Sequence, residues 1–263
     1  MKMIKTLCLL IFSFTLLSPT SYSQTNQLDE KGKKHGLWIK RYPDGEIQYK
    51  GKFNHGTPVD TFKRFHKNGK LKAIMIYQNP QKVYTKLYDK NEVKKAEGYY
   101  YNRKKDSTWN YYNQNGTLIS KDTYKSGRKH GEALKFYRSG DTSQISHWKN
   151  GEKHGKYKQY FENGNKKLLS NYKNDKVDGY VTVFYPDGTK KIEGKYEDNL
   201  KEGKWVYFDE QRDTSQVITY KNGTPLNENK LKRQEYQEIL ELENNKGKFQ
   251  SPREEFYKNP SRK

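Results

Sequence analysis

Residues 32–56 read GKKHGLWIKRYPDGEIQYKGKFNHG, and their reading decides the fold. Leu37–Tyr42 runs into a Pro43-Asp44-Gly45 turn, Glu46–Phe53 follows, and Asn54-His55-Gly56 closes the unit. Turn pairs such as Asp44-Gly45, and Asn150-Gly151 further along, favour primed hairpin turns because Gly and Asn take positive φ cheaply. In the second segment, period-two alternation puts Ile47, Tyr49, Gly51 and Phe53 on one face. Glu46, Gln48, Lys50 and Lys52 share the other. The expected unit is a β-hairpin with one half-buried face.

The unit recurs. Phe53, Tyr77, Tyr101, Tyr124, Trp148, Tyr172, Tyr196 and Tyr220 stand 24 residues apart, with one step of 23. Gly36, Gly131, Gly155, Gly179 and Gly203 form a second periodic series, and Gly45, Gly69, Gly116, Gly140, Gly164 and Gly188 a third. Repeats of this length mark an array in which each unit buries its face on its neighbours. The expected fold is all-β: an elongated single-layer antiparallel meander of about eight hairpins, with those eight aromatics as a structural ladder. Two residues before the closing aromatic the chain is often small, as at Gly51, Ser146, Ser170 and Gly194, which leaves room for a neighbouring ring. Asp122 and Ile218 depart from that rule. The third repeat, near 79–102, has Pro80 in a glycine position and an irregular NEVKKAEGYYY. Drift, a bulge and a partner site all fit it.

The pattern G-x-x-x-G-x-W-x-x-Y…N-G…Y-x-N-G resembles the bacterial variant of the MORN repeat. Gly36-Leu37-Trp38, Trp109-Asn110-Tyr111-Tyr112 with Asn115-Gly116, and Gly203-Lys204-Trp205 carry the resemblance, which covers about residues 31–225. It implies a single-layer sheet of hairpins and a role in interaction rather than catalysis, as a scaffold or in association with lipids. Bacterial members often carry an antitoxin label, so antitoxin-like binding of a partner protein is a further alternative.

The ends differ from the array. In 1–23, Lys2 and Lys5 precede the apolar run Leu7–Leu17 and the small-x-small signal Ser21-Tyr22-Ser23, the pattern of a cleaved signal peptide. The apolar run is about half the ~20 residues of a spanning helix. Export to the periplasm or the exterior is expected, with no transmembrane span after cleavage. Cys8, the only cysteine, lies inside that run, so the exported chain has no thiol chemistry. Residues 24–225 form the array. Residues 226–263 are expected to form an amphipathic helix at about 229–244, covering the last sheet edge, and a charged tail.

Catalytic, metal and cofactor sites are not expected. His35, His130 and His154 sit in Lys-His-Gly triplets, but other repeats place Val59, Asp178 or Glu202 in that slot. Zinc needs three or four ligands around one point, not one per repeat. No nucleophile elbow, zinc-protease helix or phosphate loop occurs.

Charge is the remaining signal. The formal +21 falls to +19 once Lys2 and Lys5 leave with the leader. A basic sheet suits a protein partner or an anionic envelope surface, such as lipid headgroups or an acidic polysaccharide. Lys50, Lys52, Lys191 and Lys195 are the candidate binding face. Export argues against nucleic acid, and a monomer is expected. The lysines could equally serve solubility. The 23 tyrosines and four tryptophans give the other reading, a glycan- or cell-wall-binding module with exposed rings. Ring exposure separates the two.

Overall fold

The computed structural model describes residues 24–226. These form one open antiparallel sheet in which each strand pairs with the next along the chain. Eight hairpins make it. Their strands are Lys34–Arg41 with Ile47–Asn54, Thr57–Phe65 with Leu71–Tyr77, Lys82–Tyr88 with Lys94–Tyr101, and Lys104–Tyr112 with Leu118–Lys125. Then come Arg128–Phe136 with Thr142–Lys149 and Glu152–Tyr160 with Lys166–Lys173. In the seventh hairpin Lys176–Val177 and Gly179–Phe184 together face Lys190–Glu197, and Leu200–Phe208 with Thr214–Lys221 ends the series. Two-residue stubs, Gln27–Leu28 and Thr224–Pro225, flank the array. No helix occurs among the described residues. The expected signal peptide at 1–23 and capping helix at about 229–244 lie outside them.

Two kinds of turn alternate. Between hairpins, both turn residues are left-handed: Ser126 (φ 50°) with Gly127 (86°), Asn150 (54°) with Gly151 (99°), Asn174 (52°) with Asp175 (64°). That is the primed geometry expected of Asn-Gly. Within hairpins only the last turn residue is left-handed. Gly45 has φ 89° and donates its N–H to the Tyr42 carbonyl at 3.0 Å, while Asp44 keeps negative φ. The expectation of primed turns therefore holds for the connections between hairpins and fails for the Pro-Asp-Gly turns.

The glycine before the tryptophan slot is a bulge. Gly131, Gly155, Gly179 and Gly203 have φ between 69° and 105°, and Asp60 (58°) and Ser107 (59°) do the same work in their repeats. Pairing across these joints skips a register step, as between Lys129 and Ala133. A left-handed residue at a bulge bends and twists the strand. The joint between Leu71–Tyr77 and Lys82–Tyr88 alone keeps continuous register, and Lys82–Tyr88 is two residues shorter than Lys104–Tyr112. The missing bulge moves the 23-residue step to Tyr77–Tyr100.

One face of the sheet holds the core. Trp109 is 0 % and Trp205 1 % exposed, and two clusters form around them, one from Ala73 to Tyr124 and one from Tyr157 to Tyr220. Each large ring lies over a small residue of the preceding hairpin. A Cβ built on Gly98 would stand 2.6 Å from the Trp109 indole, and Gly51 under Phe62 and Gly194 under Trp205 leave still less room. The row of closing aromatics is stitched through these same rings. Phe53 meets Phe62 at 5.6 Å and Phe62 meets Tyr77 at 6.5 Å; Tyr196 meets Trp205 at 4.9 Å and Trp205 meets Tyr220 at 6.1 Å. Tyr101 is not in that row. In the run Tyr99-Tyr100-Tyr101, Tyr100 is buried against Trp109 at 4.8 Å, and Tyr101 points to the outer face with 47 % of its surface exposed.

Candidate functional site

The lysine of the Lys-His-Gly triplet enters the core face, and the histidine does not. Lys34, Lys105, Lys129, Lys153 and Lys201 each lie over core-face rings. The Lys201 ammonium stands 4.4 Å from the Trp205 ring centre and 4.9 Å from that of Tyr220, and the residue is 7 % exposed. Lys34 donates to the Tyr49 hydroxyl at 2.7 Å, Lys105 to that of Tyr111 at 3.1 Å, and Lys129 pairs with Asp122 at 2.9 Å. The aliphatic stem fills space between rings while the head keeps polar partners. These cations are structural, and periodicity alone hid them among the other lysines.

In several repeats the histidine position holds a hydrogen-bond acceptor for the next turn, although Val59 in the same slot has none. His130 Nδ1 accepts the Asn150 N–H at 3.4 Å, Asp106 the Ser126 N–H at 3.3 Å, and Glu202 the Asn222 N–H at 2.8 Å. His154 meets the Asn174 side chain at 3.2 Å, and His35 packs on His55 at 4.8 Å. Imidazole and carboxylate serve alike there because either offers an acceptor to the turn N–H. No group of three potential metal ligands occurs among the described residues.

Those caps, with one backbone hydrogen bond per repeat, fasten each connecting turn to the repeat before it. Gly127 N–H donates to the Lys105 carbonyl at 2.8 Å, Gly151 to Lys129 at 2.8 Å, and Asp175 to Lys153 at 3.0 Å. The connecting turns thus form a rigid rim, advancing two strands, or about 9.6 Å, per repeat. Residues 101–176 of that rim are basic: Arg103 and Lys104, Lys125 and Arg128, Lys149, then Lys173 and Lys176, all exposed. Asp106, Glu152 and Asp175 oppose them there; Asp106 caps the Ser126 N–H at 3.3 Å and Asp175 the Lys153 N–H at 2.7 Å. Among the described residues Lys176 faces Asp198 at 3.3 Å, and the other six cations form no ion pair. The opposite rim, built from turns inside the hairpins and their strand ends, bears Asp44, Glu46, Asp89, Glu92, Asp141, Glu162, Asp187, Asp209, Glu210 and Asp213, against Arg41, Lys67, Lys70, Lys90, Arg138, Lys166, Lys190 and Arg212. The connecting-turn edge is positive over 101–176, and the opposite edge is mixed, with carboxylates and cations interspersed.

Lys50, Lys52 and Lys195 lie exposed on the outer face, and Lys191 is half-buried beside the Tyr185 ring at 5.5 Å. Lys52 pairs with Asp60 at 3.5 Å, and Lys195 stands opposite Glu202 in register. Their strands belong to the first and seventh hairpins, so the fold does not gather the four into one patch. The denser row is at the rim, and once the turns are phased its residues follow from sequence.

The outer face also carries a polar cluster in the third and fourth hairpins. Glu97, 9 % exposed, accepts from the Tyr112 hydroxyl and from Lys94 at 3.1 Å. Burial pushes Glu97 up, but the bonds from Tyr112 and Lys94 outweigh it and hold the carboxyl below its usual value. A carboxylate so held is a fixed anion and a poor general acid. Tyr84 packs on Tyr99 at 5.0 Å beside it.

The MORN repeat variant model matches residues 34–55, 61–79, 105–126, 153–174 and 177–198. Among curated proteins no sequence match is found. Solved structures give weak likenesses. The Photorhabdus luminescens Tc holotoxin pore carrying TccC3-D651A is 12 % identical at a TM-score of 0.21, over 72 % of this chain and 12 % of that one. The TcdB2-TccC3-Cdc42 complex is 11 % identical at a TM-score of 0.17, over 68 % of this chain and 14 % of that one. The chain thus spans a small fraction of either, and neither likeness bears on its activity. Five matched repeats within an unbroken run of eight hairpins identify the chain as a member of the MORN repeat variant family.

Proposed function

We propose that the protein is a non-enzymatic, exported scaffold that holds an anionic partner along the rim of connecting turns between Arg103 and Lys176. The observation that supports this reading is the division of charge between the two rims. Lysines that served only solubility would have no reason to mix with carboxylates on one rim and to stand in single file on the other. Six cations without an ion pair among the described residues are ready for an outside anion. Against an anionic surface each such side chain contributes on the order of 1 kcal/mol. A salt titration of binding to an anionic matrix tests it. Retention should fall steeply as the Debye length shrinks from ~10 Å at 0.1 M to ~3 Å at 1 M salt; retention insensitive to salt contradicts it.

The ladder rings do not favour the glycan reading in its first form, since Tyr124, Tyr172, Tyr196 and Tyr220 are buried and Phe53, Tyr77 and Trp148 half-buried. Two other tyrosines bear on it.

A further inference from the structure

We propose that the anionic partner is a linear acidic polysaccharide, lying along the connecting-turn rim with sugar rings stacked on Tyr101 and Tyr180; this rests on the rim reading above. Two independent features carry it. First, the cations form a line rather than a patch. One basic turn follows another at about 9.6 Å, the scale of a disaccharide, and the caps and backbone bonds hold that spacing fixed. A folded acidic protein would meet a broader footprint, and a lipid surface has no repeat to match.

Second, the two aromatic side chains left largely exposed on the described surface bracket the basic run. Tyr101 (47 % exposed) precedes Arg103 and Lys104, and Tyr180 (75 %) follows Lys173 and Lys176. Both project from the outer face: Tyr101 alternates with the buried Tyr100, and Tyr180 with the buried Val181. In register Tyr101 lies opposite Lys82 and Lys104, and Tyr180 opposite Lys195, so each tyrosine has a lysine as a cross-strand neighbour. An exposed ring with a cation at its edge suits a uronic acid residue: the ring covers the C–H face of the sugar and the cation meets its carboxylate. A peptide polyanion offers the carboxylates without the flat apolar face.

The test compares three classes of anionic probe on the full exported chain by calorimetry: two uronates (polygalacturonate and alginate), poly-L-glutamate of matched length, and vesicles rich in phosphatidylglycerol. At least one uronate should bind about tenfold more tightly than polyglutamate or the vesicles. Tyr101→Ala with Tyr180→Ala should abolish that preference while leaving polyglutamate binding unchanged, and circular dichroism should be unaltered because both rings are exposed. Polyglutamate or vesicles bound as tightly as both uronates, or a preference indifferent to the two tyrosines, overturns the polysaccharide and leaves the rim reading standing. If none of the probes binds at low salt, both readings fall together.

Discussion

Gly98 lies under the Trp109 indole so closely that a methyl group at its Cα would stand 2.6 Å from the ring. The same size rule runs through the sheet except at Ser170, which stays small before Val181. Gly51 precedes Phe62, Gly98 Trp109, Ser146 Tyr157 and Gly194 Trp205; where the second position shrinks, as at Thr85 and Ala133, the first grows to Met75 and Asp122. Ile218 follows the rule as well, because no later hairpin sends a ring over it among the described residues.

Exchanging the two sizes should therefore be a coupled change. Ala133→Trp in the native background places a ring against Asp122 and should cost about 1–3 kcal/mol, the usual range for overpacking. With Asp122→Gly the same tryptophan should cost less, with a favourable coupling of at least ~0.5 kcal/mol. Denaturant unfolding of the four proteins in the cycle measures it. Additive costs would mean that the two positions do not share space.

The aromatic row gives a graded set. Tyr172→Ala and Tyr100→Ala, which empty buried ring positions, should each cost about 3–5 kcal/mol. Phe53→Ala at the half-buried first hairpin should cost less, and Tyr101→Ala should stay within about 0.5 kcal/mol. Thermal melts of the four variants should rank in that order. A Tyr101→Ala loss as large as that of Tyr100→Ala would put the wrong tyrosine in the core.

Lysine at the core-face position is replaceable by an apolar side chain, since Val177 and Val83 occupy it in other repeats. Lys201→Val should change stability by less than about 1.5 kcal/mol. Lys201→Glu, which sets a carboxylate over the faces of Trp205 and Tyr220, should cost about 3–5 kcal/mol. A large loss from valine would show that the ammonium, rather than its stem, holds the rings together.

Alkali should loosen the outer cluster at Tyr84. Burial, then the charge and hydrogen bonding of Glu97, push the Tyr84 hydroxyl up to about 12 from an ordinary value of 10.0. The folded state therefore favours the neutral phenol. Its contribution is complete below pH 10 and is lost as pH climbs toward 12. Glu97 works in the other direction: its carboxyl is depressed, so its contribution is present above the ordinary value of 4.5 and lost as pH falls. Tyr84→Phe should flatten the decline in melting temperature between pH 10 and 12 and leave the acid limb in place. Parallel alkaline limbs would contradict this.

Much of this was legible in the residues, and the gaps have physical causes. The 24-residue period, the strand alternation at Ile47–Phe53 and the turn chemistry are enough to define eight hairpins. The ladder slipped at one point: three consecutive tyrosines cannot be phased without knowing that the joint before Lys82–Tyr88 lacks its bulge residue. Asp122 and Ile218 looked like exceptions because a small position is defined by the ring of the next hairpin, not by its own. Core-face and rim lysines are the same letter, and only their place relative to the bulge separates Lys105 from Lys104. The basic rim was hidden for that reason, while Lys50, Lys52, Lys191 and Lys195 stood out by alternation alone.

The central claim is that charge acts by position on one rim. Two variants of equal net charge test it: Arg103, Lys104, Arg128 and Lys149 changed together to Gln on the connecting-turn rim, and Lys67, Lys70, Lys90 and Arg138 changed together to Gln on the opposite rim. All eight side chains are exposed, so both proteins should fold. Affinity for an anionic probe at 0.1 M salt, such as polygalacturonate or polyglutamate, should drop at least about tenfold in the first variant and change little in the second. Equal losses in the two would contradict the account and reduce the basic charge to a property of the whole surface.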